Sequence, residues 1–138
     1  TKYTVYVMFH KHIKLEVVMS HRLEVRNPVK HLHEKKKKKK PFVMLFQTES
    51  CGVCHAIEPR LKDLLENYNL SYVTVDAGRY PEIAGQHQVF TVPTILVWSE
   101  NREIMRESRF INFSKIERLL EFIQVYEAEY ESLNQTNN

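Results

Sequence analysis

The chain contains two cysteines, and two residues separate them: Cys51-Gly52-Val53-Cys54. A C-x-x-C pair is the smallest arrangement that can close a disulfide inside one helical turn and reopen it. Attack on another disulfide requires a thiolate, and release of the mixed disulfide requires a second thiol close by. One helix start can supply both. A single close pair is unlike the dispersed cysteine frameworks of small secreted domains, so it reads as redox or metal chemistry. Tetrahedral zinc takes four ligands. Only His55 lies near enough to join the pair, so a metal would need a second chain, and none is expected.

Several elements must hold this pair in place. Phe42 to Phe46 is a short continuous apolar run, which suits a strand buried on both faces. From Val53 onward the pattern turns helical, with Ile57, Leu61, Leu64, Leu65 and Tyr68 on one face. Asn67-Tyr68-Asn69 should end that helix. Tyr72 to Asp76 reads as the next strand, and Arg79 to Gln86 as a short helix with Pro81 in its first turn. Thr94 to Trp98 is a further buried strand, Asn101 a turn, and Glu103 to Glu107 a returning antiparallel strand. Ser114 is positioned to cap a last helix whose apolar stripe is Ile116, Leu119, Leu120, Ile123 and Tyr126. Tyr126 and Tyr130 are expected to pack rather than to bind. Both strand–helix–strand steps predict parallel pairing by right-handed crossover. The expected class is α/β, a mixed sheet with helices on both faces.

The 138 residues allow one globular domain. A net charge of +3 conceals two regions: residues 1–40 carry twelve Lys/Arg against three Glu, and residues 41–138 carry eight against fourteen Asp/Glu. The boundary is expected near Pro41, with a basic extension over 1–40, a domain over 41–133 and a polar tail over 134–138. In the extension, Tyr3 to Phe9 and the alternating Ile13, Leu15 and Val17 read as strands. Asn27-Pro28 reads as a helix start. Lys35–Lys40 reads as a solvated charge run, and His10, His12, His31 and His33 as surface without metal. An uncovered strand near the start would favour pairing with a second copy. The acidic body argues against nucleic acid as a partner. No apolar stretch is long enough to predict a membrane span. Residue 1 is Thr rather than Met, which leaves open a leader that has been removed.

The element order, with C-x-x-C at the top of the first helix after a central strand, resembles the thioredoxin family over roughly residues 42–124. Thr91-Val92-Pro93, directly before a buried strand, is similar to the family's cis-proline site. Pro59 matches the proline that kinks its active-site helix, and Phe46 the aromatic on its central strand. The resemblance implies a thioredoxin fold and a thiol–disulfide oxidoreductase. Cys51 would be the nucleophile and Cys54 the resolving thiol, with Gly52, Val53, Thr91, Val92 and Pro93 contacting substrate. Protein disulfides would be the substrates, a separate reductase or thiol system the electron source, and no organic cofactor is implied. The style of the chain is that of a small bacterial protein, and the absence of further cysteines points to cytoplasm.

The sequence also departs from that family. Ser50 stands where a Trp is usual, and Gly-Val replaces Gly-Pro between the cysteines. Leu45 occupies the place of a buried Asp that takes the second thiol's proton, and Tyr72 that of its lysine partner. Glu49, His55 and Glu58 are the nearby groups that could tune the pair instead, His55 reading first as a solvent-facing residue. The missing Asp also motivates an alternative: a thioredoxin-fold binding module whose cysteine pair is a switch without turnover.

Overall fold

The computed structural model describes the backbone of residues 2–9 and 11–19 and, in full, residues 40–136. The helix expected at Asn27-Pro28, the lysines before Lys40, and His10, His31 and His33 lie outside the described residues. Among the described residues, six strands form one sheet: β1 (Lys2–Phe9), β2 (Lys11–Met19), β3 (Phe42–Gln47), β4 (Tyr72–Asp76), β5 (Thr94–Ser99) and β6 (Arg102–Ser108), in the order β1-β2-β4-β3-β5-β6. Three helices among these residues join or follow them: α1 (Gly52–Glu66), α2 (Pro81–Gln86) and α3 (Phe113–Thr136).

β3 is central because both of its faces are apolar. Phe42, Met44 and Phe46 enter a core with Val73, Val75, Tyr80, Ile83, Ala84 and Leu96 on the α2 side. Val43 and Leu45 enter a second core on the other face, with Tyr72, Leu61 and Leu65 of α1 and Phe113, Ile116, Leu120 and Ile123 of α3. The alternation follows from the two-residue side-chain period of a strand. Helices cover both faces, as expected.

The first crossover is parallel, with Leu45 opposite Thr74. The second is not, which corrects the sequence expectation. β5 pairs with β3, antiparallel, with Phe46 opposite Thr94. The length of α2 explains this. Its six residues rise only about 9 Å, whereas the six residues of β5 span about 20 Å. The chain therefore never returns to the start of β4 and enters β5 from the end at which β4 left.

β5 turns into β6 through Glu100 and Asn101, both at positive φ (51° and 68°), the backbone of a two-residue hairpin loop. α1 ends at Asn67, followed by Asn69 at φ 53° and a bond from the Leu70 N–H to the Leu65 carbonyl. The last helix is capped two residues earlier than Ser114: Asn112 Oδ1 accepts from the Lys115 N–H at 3.1 Å, the usual N-cap geometry. Tyr126 and Tyr130 do not pack. They are 53% and 59% exposed, because α3 runs on to Thr136 after Ile123, its last buried residue.

β1 and β2 form an antiparallel hairpin, and β2 extends the sheet along β4 through Val17–Val75, Val18–Thr74 and Met19–Val73. The early residues thus add strands to this chain's own sheet.

Candidate redox site

Two elements that meet at one end of the sheet build the site. β3 runs out toward Cys51, and the loop from Thr91 to Pro93 runs into β5. The Phe46–Thr94 pairing brings the two ends side by side. Cys51 is the N-cap of α1, in extended conformation (φ −84°, ψ 97°), and its Sγ accepts from the Cys54 N–H at 3.2 Å. Cys51 and Cys54 are joined as a disulfide, with their Cα atoms 5.2 Å apart. Cys51 is half-buried, while Cys54 is fully buried. Gly52 and Val53, between them, are exposed.

This placement has an electrostatic consequence. The free N–H groups and the positive end of the helix dipole favour a thiolate at the cap. α1 has no acidic residue in its first turn to oppose that. Pro59 lies inside the same helix and has no N–H to give to the His55 carbonyl. His55 is exposed, and its Nε2 lies 2.9 Å from the Glu49 carbonyl oxygen, so the ring is tied to the loop before Cys51. Glu49 itself pairs with Arg79 at 3.0 Å, joining that loop to the turn after β4.

Leu45 is completely buried and Tyr72 nearly so, and both belong to the same apolar core. Apolar packing thus fills the two places where the family resemblance puts an aspartate and its lysine partner. The carboxylate that does approach the site is Glu58. It lies four residues beyond Cys54 on α1, hence on the same helix face, and is half-buried. Gln47 Nε2 donates to it at 3.2 Å. The Gln47 Oε1 is buried and accepts no hydrogen bond among the described residues.

The substrate-side loop is fixed by a small network. The Val92–Pro93 peptide bond is cis. Thr94, buried, donates its hydroxyl to the Thr91 carbonyl at 2.8 Å and lies 3.1 Å from Ser108 Oγ. The Arg109 N–H donates to the Pro93 carbonyl at 2.9 Å, and its Nε reaches Thr91 Oγ1 at 3.4 Å. Val92 is half-buried, and neither of its backbone groups bonds to another described residue. The Gln47–Glu58 and Arg109–Pro93 contacts were not drawn from the sequence. A β5–β6 hairpin closed at Glu100-Asn101 carries the signal for the second, because it folds Ser108 back onto Thr94.

A disulfide with one sulfur buried and the other half-exposed at a helix cap, beside a cis-proline loop, defines the class of the thiol–disulfide oxidoreductases. The thioredoxin family profile matches residues 24–124, and the chain belongs to that family. The thioredoxin-like protein YdfQ of Bacillus subtilis is 37% identical over 81 residues, covering 57% of this chain and 72% of its own. Thioredoxin H2 of Arabidopsis thaliana is 30% identical over 77 residues, covering 55% of this chain and 58% of its own. In structure, a thioredoxin of Halobacterium salinarum superposes with a TM-score of 0.61 at 18% identity, over 67% of this chain and 81% of that one. A Schistosoma mansoni thioredoxin gives 0.60 at 25% identity, over 69% and 89%. Among the described residues no helix is long and apolar enough to cross a membrane.

Proposed function

We propose that this protein reduces disulfides in other proteins, in the cytoplasm of a bacterium, and is returned to the dithiol by a separate reductase or thiol system. The observation that carries this reading is the asymmetry of the pair. Cys51 is open to a partner at the positive end of a helix, and Cys54 is shut away directly behind it.

In the reduced protein the Cys51 thiolate attacks one sulfur of a substrate disulfide. That bond breaks, and the departing substrate sulfur leaves as a thiolate and takes a proton from water. The Cys54 thiol then loses its proton, with Glu58 the nearest carboxylate on its helix face. Its sulfur attacks Cys51 Sγ. The mixed disulfide breaks, the second substrate thiolate departs, and the Cys51–Cys54 bond forms. Two electrons have passed to the substrate. Gly52 and Val53 leave room for a partner backbone above the pair, and the unbonded Val92 backbone groups, beside Thr91 and Pro93, offer it an extended docking edge.

A second reading is favoured by Leu45: a binding module whose pair is a redox switch, since the buried acid that would speed the second step is absent. One experiment separates the two. Wild-type protein is mixed with disulfide-bonded insulin and excess dithiothreitol, whereas Cys54→Ser and Cys51→Ser are first reduced, freed of dithiothreitol and then mixed with the same insulin. A reductase turns over as wild type, accumulates a one-to-one mixed disulfide as Cys54→Ser, and does neither as Cys51→Ser. Insulin left intact by the wild type, with the pair itself cycling normally, would establish the switch and sink the reductase.

A further inference from the structure

The rim beside the docking loop carries side chains that the exchange chemistry does not need. Phe90 immediately precedes Thr91 and is 88% exposed, between a buried Val89 and a half-buried Thr91. Phe110 is 90% exposed and follows Arg109. The two phenylalanines are neighbours of the two ends of one contact, that between Arg109 and the Thr91–Pro93 loop. Large apolar side chains left this open normally mark contact with something else.

Arg109 adds a second observation. Its φ is 65°, and the Phe110 N–H bonds back to the Ser108 carbonyl at 2.8 Å, so the chain turns about Arg109 in a tight i→i+2 loop. Glycine adopts that backbone freely, whereas a side chain is disfavoured. Strained positions held by a rigid surround concentrate at functional sites. The turn holds the Arg109 side chain against Thr91 and throws Phe110 outward.

The charge of this rim is not cancelled locally. Glu107, two residues before Arg109, is held by Lys115 at 2.8 Å, and Glu49 by Arg79. Among the described residues no carboxylate lies within ion-pair distance of Arg109. The docking edge therefore presents one positive group, flanked in sequence by aromatic rings, to whatever chain lies along it.

We infer that Phe90, Arg109 and Phe110 select the substrate. The preferred partner is a disulfide-bearing segment that carries a carboxylate for Arg109 and an apolar side chain for the rings close to the attacked cysteine. This inference rests on the reductase reading and on docking at the Thr91–Pro93 loop, and it adds which disulfides are taken. The electron transfer is the two-thiol exchange already described.

The test uses short peptides, each closed by one internal disulfide and identical except for Glu, Gln or Lys beside one cysteine and Leu next to it. Reduced full-length protein is mixed with each in single turnover. The neutral small disulfide of hydroxyethyl thiol serves as a control. The Glu peptide is expected to react about fivefold faster than the Lys peptide, the scale of one exposed ion pair. Arg109→Gln should erase that ratio and Arg109→Glu should reverse it. Taking the ratio of ratios cancels the intrinsic reactivity of the peptides. Arg109→Gly, whose backbone suits the turn, guards against misfolding and should also erase the preference. Phe110→Ala and Phe90→Ala should each slow the Leu-bearing peptides about fivefold against a Ser-bearing set, leaving the control rate unchanged. An unaltered Glu-to-Lys ratio in Arg109→Gln, or a wild-type preference for Lys, would overturn the selection while a normal control rate leaves the reductase standing. Failure on the control disulfide as well would overturn both.

Discussion

Leu45→Asp restores in this chain the acid that its relatives' family places on the central strand, and its cost can be worked out. Leu45 is fully buried, opposite Thr74 and Ile95 on neighbouring strands and within the core of Leu61, Leu65 and Tyr72. Losing the leucine forfeits about 2 kcal/mol of apolar burial. Burying even a neutral carboxyl without a partner costs a further ~1–2 kcal/mol. No cation waits for it, because Tyr72 stands where the lysine would, so the new acid must stay protonated in the fold. Its folded pKa is raised, whereas in the unfolded chain it ionises near 3.9. At pH 7, about three units above that unfolded value, keeping the carboxyl neutral adds ~4 kcal/mol. The sign follows from linkage: the folded state binds the extra proton, so the penalty is full at neutral pH and shrinks toward acid. The expected loss is thus about 7 kcal/mol at pH 7 and roughly half that near pH 4, against a typical domain stability of about 5–15 kcal/mol. Urea titrations following the fluorescence of Trp98, the sole tryptophan, measure both values. Protonation of other groups is common to wild type and variant and cancels in the difference. Leu45→Asn supplies the pH-independent comparison. A loss below about 2 kcal/mol at pH 7, or one equal at both pH values, would refute the reasoning.

Two further outcomes follow from the same geometry. Glu58→Gln should slow the second step, resolution by Cys54, on the order of tenfold or more while leaving the first attack by Cys51 unchanged; rapid-quench mass spectrometry separates the steps, and equal slowing of both would remove Glu58 as the proton acceptor. Tyr68, packed beside α3, has its phenol pushed above the ordinary 10.0 by burial first and by Glu121 and Glu117 next. Its folded form holds the proton longer than the unfolded chain does, so this contribution is intact below pH 10 and is lost above it. Tyr68→Phe should therefore show a shallower alkaline decline in denaturant titrations than wild type, and parallel curves would count against the assignment.

Much of the site was legible because its chemistry is local. Cys51 and Cys54 announce themselves by spacing, the helix that holds them by its Ile57–Leu61–Leu64–Leu65 stripe, and β3 by five unbroken apolar residues. The resemblance located Pro93, and the bond there is cis. What escaped depends on distances that no short pattern encodes. The direction of β5 is decided by how far six helical residues can carry the chain. Gln47 and Glu58 meet only because β3 and α1 are packed together, and Arg109 reaches Pro93 only through the β5–β6 register. The reading of Tyr126 and Tyr130 erred for a related cause: periodicity shows which residues share a helix face, but not where along the helix the sheet beneath it stops.

β6 sits at the outer margin of the sheet, and four of its seven residues are charged: Arg102, Glu103, Arg106 and Glu107. The ladder to β5 also slips by one residue between Val97 and Trp98. Charge and irregularity of this kind discourage a further strand from adding there. At the crowded concentrations of a cell, that margin works against the recruitment of neighbouring copies into a growing fibril along β6.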